Sequence, residues 1–195
     1  TISGGDVDTG LAQGGAIYAT TLSSLILNNV TFDNNTAVEG GAVYVSMDSS
    51  PNLNFVINGS TFSNNSSSGD GGVLYIKNPL NTLNTTISNS TFDTNSSSGD
   101  GGAIFADNLT SLDISGSYFT ANTALHSDGG VFYLSRSTSA FVDNSYFYLN
   151  RPTTNLGGIF YVTSDSGLTV SNSTFENSVA VKGGVFYLLN GAELN

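Results

Sequence analysis

Apolar and polar residues alternate in short stretches along this chain, and the same stretches return every 26 to 31 residues. Seven of them follow a glycine pair, at Gly14, Gly40, Gly71, Gly101, Gly129, Gly157 and Gly183. Two places after the second glycine stand Ile17, Val43, Leu74, Ile104, Phe132, Phe160 and Phe186; two further on stand Ala19, Val45, Ile76, Ala106, Leu134, Val162 and Leu188. A period of two puts both columns on one face of a strand, which we place inward. Between them runs Tyr18, Tyr44, Tyr75, Phe105, Tyr133, Tyr161 and Tyr187. That column reads as a half-exposed aromatic ladder with wet hydroxyls, and the opposite assignment, with Tyr inward, stays open.

A second landmark keeps step with the first. Phe32, Phe62, Phe92, Phe119, Phe147 and Phe175 precede the next glycine pair by 8 to 10 residues. Five before each Phe is an unbroken β-favouring column: Leu27, Ile57, Ile87, Ile114, Val142 and Val170. Three before each Phe only Asn or Gly occurs: Asn29, Gly59, Asn89, Gly116, Asn144 and Asn172. These two residues best tolerate positive φ, so the column predicts a left-handed corner between two strands. Three after Phe come Asn35, Asn65, Asn95, Asn122 and Asn150, with Ser178 breaking the row. Stacked Asn side chains can hydrogen-bond from rung to rung.

This period, with three short strands in each repeat, predicts a solenoid. Equivalent strands are separated by a full turn of chain, so they stack in parallel, and the right-handed crossover is the strongly preferred one. The expected fold is all-β: one right-handed parallel β-helix of about seven coils over residues 1–195. Helical periodicity is absent, and the repeat is shorter than a propeller blade, roughly 40–50 residues.

Composition narrows the function. With no Cys, neither disulfides nor thiolate metal sites are available, and the stacking itself must supply stability. Lys and Arg total 4 against 15 acidic residues, a net charge of −11, which disfavours nucleic acid and anionic lipid as partners. The apolar runs are too short to span a bilayer as a helix, so no membrane insertion is expected. No cofactor is called for.

Segments such as Thr31-Phe32-Asp33-Asn34-Asn35-Thr36-Ala37-Val38-Glu39-Gly40-Gly41-Ala42-Val43-Tyr44 closely resemble the repeat of the chlamydial polymorphic membrane proteins, which pairs a GGA[IVL] motif with FxxN. The FxxN element holds at Phe32, Phe62, Phe92, Phe119 and Phe147 and fails at Phe175. The resemblance covers nearly the whole chain. It implies a β-helical passenger of the pectin-lyase-like class at the cell surface or outside the cell, with adhesive or structural use. The membrane β-barrel of that family has no counterpart here.

The ends read as halves of one coil. Ile2 aligns with the β-branched column, Gly4 with the corner and Val7 with the Phe, and from Gly183 through Asn195 to Gly14 is 26 residues. The expected contact is therefore heterologous, one copy continuing into the next through Thr1, Ile2 and Val7 at one end and Val185, Tyr187, Leu189 and Leu194 at the other.

Candidate chemistry is sparse. Asp70, Asp100 and Asp128 precede their glycine pairs, with Glu39 one coil earlier. Rungs stack about 5 Å apart, so this row is either a solvated acidic edge or a weak Ca²⁺ site. A lyase needs a Lys or Arg base beside such a cluster, and a hydrolase needs converging carboxylates. The four cations, Lys77, Arg136, Arg151 and Lys182, occupy different coil positions, and His126 lies in a variable loop. Sequons are plentiful; Asn34, Asn58, Asn64, Asn84 and Asn108 are expected to face outward as glycan acceptors, with corner and ladder Asn left bare. The leading expectation is a non-enzymatic, glycosylated structural module of an extracellular filament. An adhesin or carbohydrate-binding passenger is the alternative, with glycans or host surfaces as ligands, and a polysaccharide lyase or hydrolase ranks last.

Overall fold

The computed structural model describes residues 1–6, 12–46, 53–78, 83–153 and 155–195. Their strands are all paired in parallel, winding as a right-handed solenoid of about six turns. Four sheets run along it rather than three. The Phe sheet collects seven strands from Ile2–Ser3 to Thr174–Glu176, each centred on the Phe column. The post-glycine sheet runs from Ile17–Thr20 to Phe186–Leu188, and the aliphatic sheet from Ser24–Asn28 to Glu193–Leu194, again with seven strands each. The fourth is a ribbon of five two-residue strands, from Thr36–Ala37 to Arg151–Pro152, which the sequence pattern did not announce.

The register matches the predicted columns. Leu27 lies opposite Ile57, and Ile57 opposite Ile87, while Leu74 lies between Val43 and Ile104. The inward columns form one core, in which Phe32, Phe62, Phe92, Phe119 and Phe147 are fully buried. Their rings stack with centroids 4.7–4.9 Å apart, each identical side chain finding the same slot one rung on.

The predicted corner is left-handed throughout: Asn29, Gly59, Asn89, Gly116, Asn144 and Asn172 all have φ between 46° and 58°. Ser residues just after it hydrogen-bond along the axis, each hydroxyl accepting from the backbone N–H one rung earlier at 3.1–3.2 Å. Gly116→Val should cost more than about 1 kcal/mol in denaturant titration, since a β-branched residue is strained at φ 55°.

Two expectations need correction. A second left-handed corner follows the Phe strand, at Asn34, Asn64, Thr94, Ala121, Leu149 and Asn177. Its mixed composition hid it. As a result the first strand is read five residues out: Ile2 pairs with Phe32 and belongs to the Phe column, and Gly4, at φ 68°, occupies the second corner. Val7 lies outside the described residues.

The ribbon stops at Arg151–Pro152 for a chemical reason. Its flanking amides donate backwards, as Arg151 N–H does to Asn122 and Thr153 N–H to Ala124. The amide between them points forwards in a parallel ladder, and Pro152 has none to give. One coil on, Val179 to Val181 leave the ribbon, and a cavity of about 410 Å³ opens between them and Arg151 to Thr153.

Candidate functional site

Three ladders run parallel to the axis, and each is a candidate site. The first is the Asn ladder. Asn35, Asn65, Asn95, Asn122 and Asn150 are buried, and each Nδ2 from Asn35 to Asn122 donates to Oδ1 of the next Asn at 2.9–3.1 Å. The same Oδ1 accepts the backbone N–H of the preceding Asn at 2.9–3.2 Å. The second Nδ2 hydrogen of Asn65, Asn95, Asn122 and Asn150 goes to a Phe carbonyl at 2.7–3.0 Å. These amides are consumed by the fold, so the sequons at Asn65 and Asn95 have no free nitrogen for a glycan.

The acidic row is the second. It is neither a solvated edge nor a convergent cluster: Asp70 Oδ1 accepts the backbone N–H of Asp100 at 2.8 Å, Asp100 that of Asp128 at 3.0 Å, and Asp128 that of Leu156 at 2.9 Å. Asp100 also accepts from the Ser127 hydroxyl. Each carboxylate is a rung-to-rung brace aimed at backbone, and among the described residues no cluster of three or more His, Cys, Asp or Glu could hold a metal ion. Burial pushes the Asp70 and Asp128 carboxyls above the usual range, against the opposing pull of those backbone bonds.

A raised pKa in the folded state means the ionised form opposes folding. The stability these two groups offer is complete below the unfolded value of 3.8 and is lost as pH rises through the folded value. Asp70→Asn keeps the Oδ1 acceptor and removes the charge. It should raise the melting temperature at pH 7, by a shift that vanishes below pH about 3.8, whereas Asp70→Ala should lower it at both pH values.

The third ladder is aromatic. Tyr18, Tyr44, Tyr75, Phe105, Tyr133, Tyr161 and Tyr187 face away from the core and stack at 4.8–5.4 Å. The outward assignment is right, but the middle is not half-exposed: Tyr44, Tyr75 and Phe105 are buried as a cluster of their own, while Tyr18, stacked on one side only, is 59% exposed. Burial, with Glu39 and neighbouring acids adding repulsion, drives the Tyr75 hydroxyl strongly upward. Rings stacked this way show edges to solvent and hide their faces.

The cations are less scattered than the sequence implied. Lys77 lies opposite Asp107 in register, and Asp107, buried, accepts from Arg136 Nε and the Ser135 hydroxyl, each at 2.8 Å. Arg136 and Ser135 thus converge on one buried carboxylate and brace a strand end, with Lys77 as its register neighbour one rung back. Arg151 borders the cavity beyond the ribbon, and His126 is exposed in its loop.

The sequons divide differently from expectation. Asn34, Asn64 and Asn84 are exposed, while Asn58 and Asn108 are half-buried and hydrogen-bonded, Asn108 to the Asn78 carbonyl at 2.7 Å. Asn29, Asn89 and Asn172 are exposed at their corner, so burial does not separate them from the outward set. Asn34 and Asn64 both donate to Asp33, whose carboxyl is held below its ordinary value by hydrogen bonds from Ser63, Asn64 and Asn34.

Residues 15–195 match the family model described as a right-handed β-helix region. The chain belongs to the right-handed β-helix family. No curated protein and no solved structure matches it. No helix among the described residues is long and apolar enough to cross a membrane. Family membership accounts for the stacked columns, but the fold hosts enzymes and non-enzymes alike, so function rests on the ladders themselves.

Proposed function

We propose that this β-helix is a non-enzymatic structural module of an extracellular filament or surface fibre, its copies stacking end to end along the solenoid axis. One observation carries the reading: the polar columns are spent on hydrogen bonds that run along the axis from rung to rung. Every Asn and Ser in the ladders engages the rung before or after it, and the acidic row does the same. Such a surface is built to be extended, and a heterologous contact that repeats without closing gives a fibre. The net charge of −11 discourages sideways association, and exposed Asn34, Asn64 and Asn84 offer places for glycan. The resemblance to the polymorphic membrane protein repeat supports placing the module at a surface.

The corrected register bears on this reading. Leu194 pairs with Leu168, so Asn195 lies over Thr169, whereas Thr1 precedes Ile2 in the Phe column and so matches Thr174. A copy that continues the Phe sheet therefore leaves positions equivalent to residues 170–173 without an occupant. The stacking proposed is non-covalent. Light scattering and negative-stain microscopy across a concentration series test it. Fibres that lengthen with concentration, and that Val185→Glu abolishes, are expected. A monodisperse monomer at every concentration would sink the proposal.

A further inference from the structure

The aromatic ladder hides its ring faces, but a second group of tyrosines does not. In most coils the Phe strand reads Thr-Phe-Asp, Thr-Phe-Ser or Thr-Phe-Glu, with small or acidic residues pointing outward. Two neighbouring coils depart from this, with Tyr118-Phe119-Thr120 and Tyr146-Phe147-Tyr148. Register sets Tyr118 beside Tyr146 and Thr120 beside Tyr148, and the next strand adds Thr174 and Glu176. The outward face of the sheet thus carries a two-by-three grid of three phenols, two threonines and a carboxylate.

These rings are not packed face to face along the axis. Tyr118 and Tyr146 are tilted by 57° with centroids 6.3 Å apart, and Tyr146 and Tyr148, on one strand, lie nearly parallel at the same separation, wider than the 4.8–5.4 Å of the ladder. Tyr118 is 56% exposed. The Tyr146 hydroxyl donates to Glu176 Oε2 at 2.8 Å, tying that ring to an exposed carboxylate. Beside Tyr148, Leu149 holds φ 56° at the second corner, held in other coils by Asn34, Asn64, Thr94, Ala121 and Asn177, and it is 45% exposed. A leucine there costs backbone strain and buries little, so the fold does not explain it. It extends the apolar surface next to the tyrosines.

We propose that this grid is a binding platform for a glycan chain that carries no acidic groups. Ring faces offer the apolar, partly negative surface that sugar C–H groups meet, while Glu176, the phenols, Thr120 and Thr174 supply hydrogen-bond partners for sugar hydroxyls. The chain's net charge of −11, with Glu176 in the grid itself, rejects uronic-acid or sulfated polymers. A cationic peptide is the poorer occupant: a cation is held best when rings wall it in, and all these side chains rise from one face of one sheet. The site is independent of end-to-end stacking.

The test uses the full chain and affinity electrophoresis in gels containing β-1,4-glucan, chitin-derived glycan, mannan or polygalacturonate, with titration of the corresponding hexasaccharides. Retardation by at least one neutral polymer and none by polygalacturonate is expected. Tyr118→Ala and Tyr148→Ala should each weaken binding tenfold or more with unchanged circular dichroism and melting, while Tyr18→Ala, an exposed tyrosine elsewhere, should leave it intact. Absence of binding to all three neutral polymers overturns the proposal. So does retention that survives the Tyr118 and Tyr148 variants, or binding of polylysine at this grid in place of glycan. Loss of fibres without loss of glycan binding would sink only the stacking model.

Discussion

Gly102→Ala is expected to destabilise the solenoid by more than about 3 kcal/mol. The two glycines of each pair are required for different reasons. Gly101 has φ 65°, which an L side chain resists. Gly102 has no such angle, but a Cβ there would lie 2.6 Å from the Thr123 carbonyl carbon and closer still to the Gly130 carbonyl oxygen. Both are backbone atoms of the next coil, fixed by ladders on either side, so they cannot yield without separating two rungs. The amide of Gly102 bonds to the Gly129 carbonyl at 3.0 Å, and opening the gap breaks that bond as well. Gly167→Ala is the matched control: nothing lies within 4 Å of its added Cβ, and it should be neutral or slightly stabilising. Urea titration of both variants decides the matter, and similar midpoints for the two would show that the coils are not in close contact at the pair.

Asn95→Leu should cost more than about 3 kcal/mol although both side chains branch at Cγ. The side chain is 1% exposed and serves four partners: the Phe62 carbonyl, Asn122 Oδ1, and the backbone and side-chain amides of Asn65. Leucine removes one bond from each; Asn122 Oδ1 keeps the Asn95 backbone N–H and Asn65 Nδ2 keeps the Phe32 carbonyl, but each buried loss still costs roughly 1–3 kcal/mol, though such losses do not add fully. The converse holds at Ser178, which breaks the row and whose buried hydroxyl has no partner. Ser178→Asn should raise the melting temperature by extending the ladder one rung. A neutral Asn95→Leu would mean that water, not the neighbouring amides, satisfies this column.

Much of the fold was legible because a parallel solenoid forces identical positions into contact. A residue that suits one rung is selected at every rung, so columns of Phe, Asn and Gly appear in a single sequence as they would in an alignment. What stayed hidden lacked that uniformity. The second corner is held by Asn, Thr, Ala and Leu, and the ribbon strands run from Thr36–Ala37 to Arg151–Pro152, with no shared apolar residue. Missing the corner produced the error at Ile2, because Gly4 satisfies either left-handed position and the two frames differ by five residues.

The candidate site was harder to see. The acidic row looks the same in sequence whether its oxygens face a cation or the backbone of the next coil; only the 2.8–3.0 Å bonds to Asp100, Asp128 and Leu156 distinguish them. The tyrosine grid did leave a signal, since Tyr118, Tyr146 and Tyr148 replace the Thr and Asp of other coils. The uniform Phe in the middle of each triplet masks the change at its flanks.

The missing amide of Pro152 has a dynamic consequence. In a chain of nearest-neighbour contacts, each coil is held by the links to the coils beside it, and opening spreads from whichever link is weakest. Up to Arg151 the coils share four sheets and the Asn ladder; past it, one sheet and the ladder drop out together. Amide hydrogens from Thr174 onward should therefore exchange through a low-energy opening that leaves the preceding coils closed, while those of the Phe62 to Phe119 coils exchange only through much larger events. The molecule has a built-in order of unravelling, set by one imino acid.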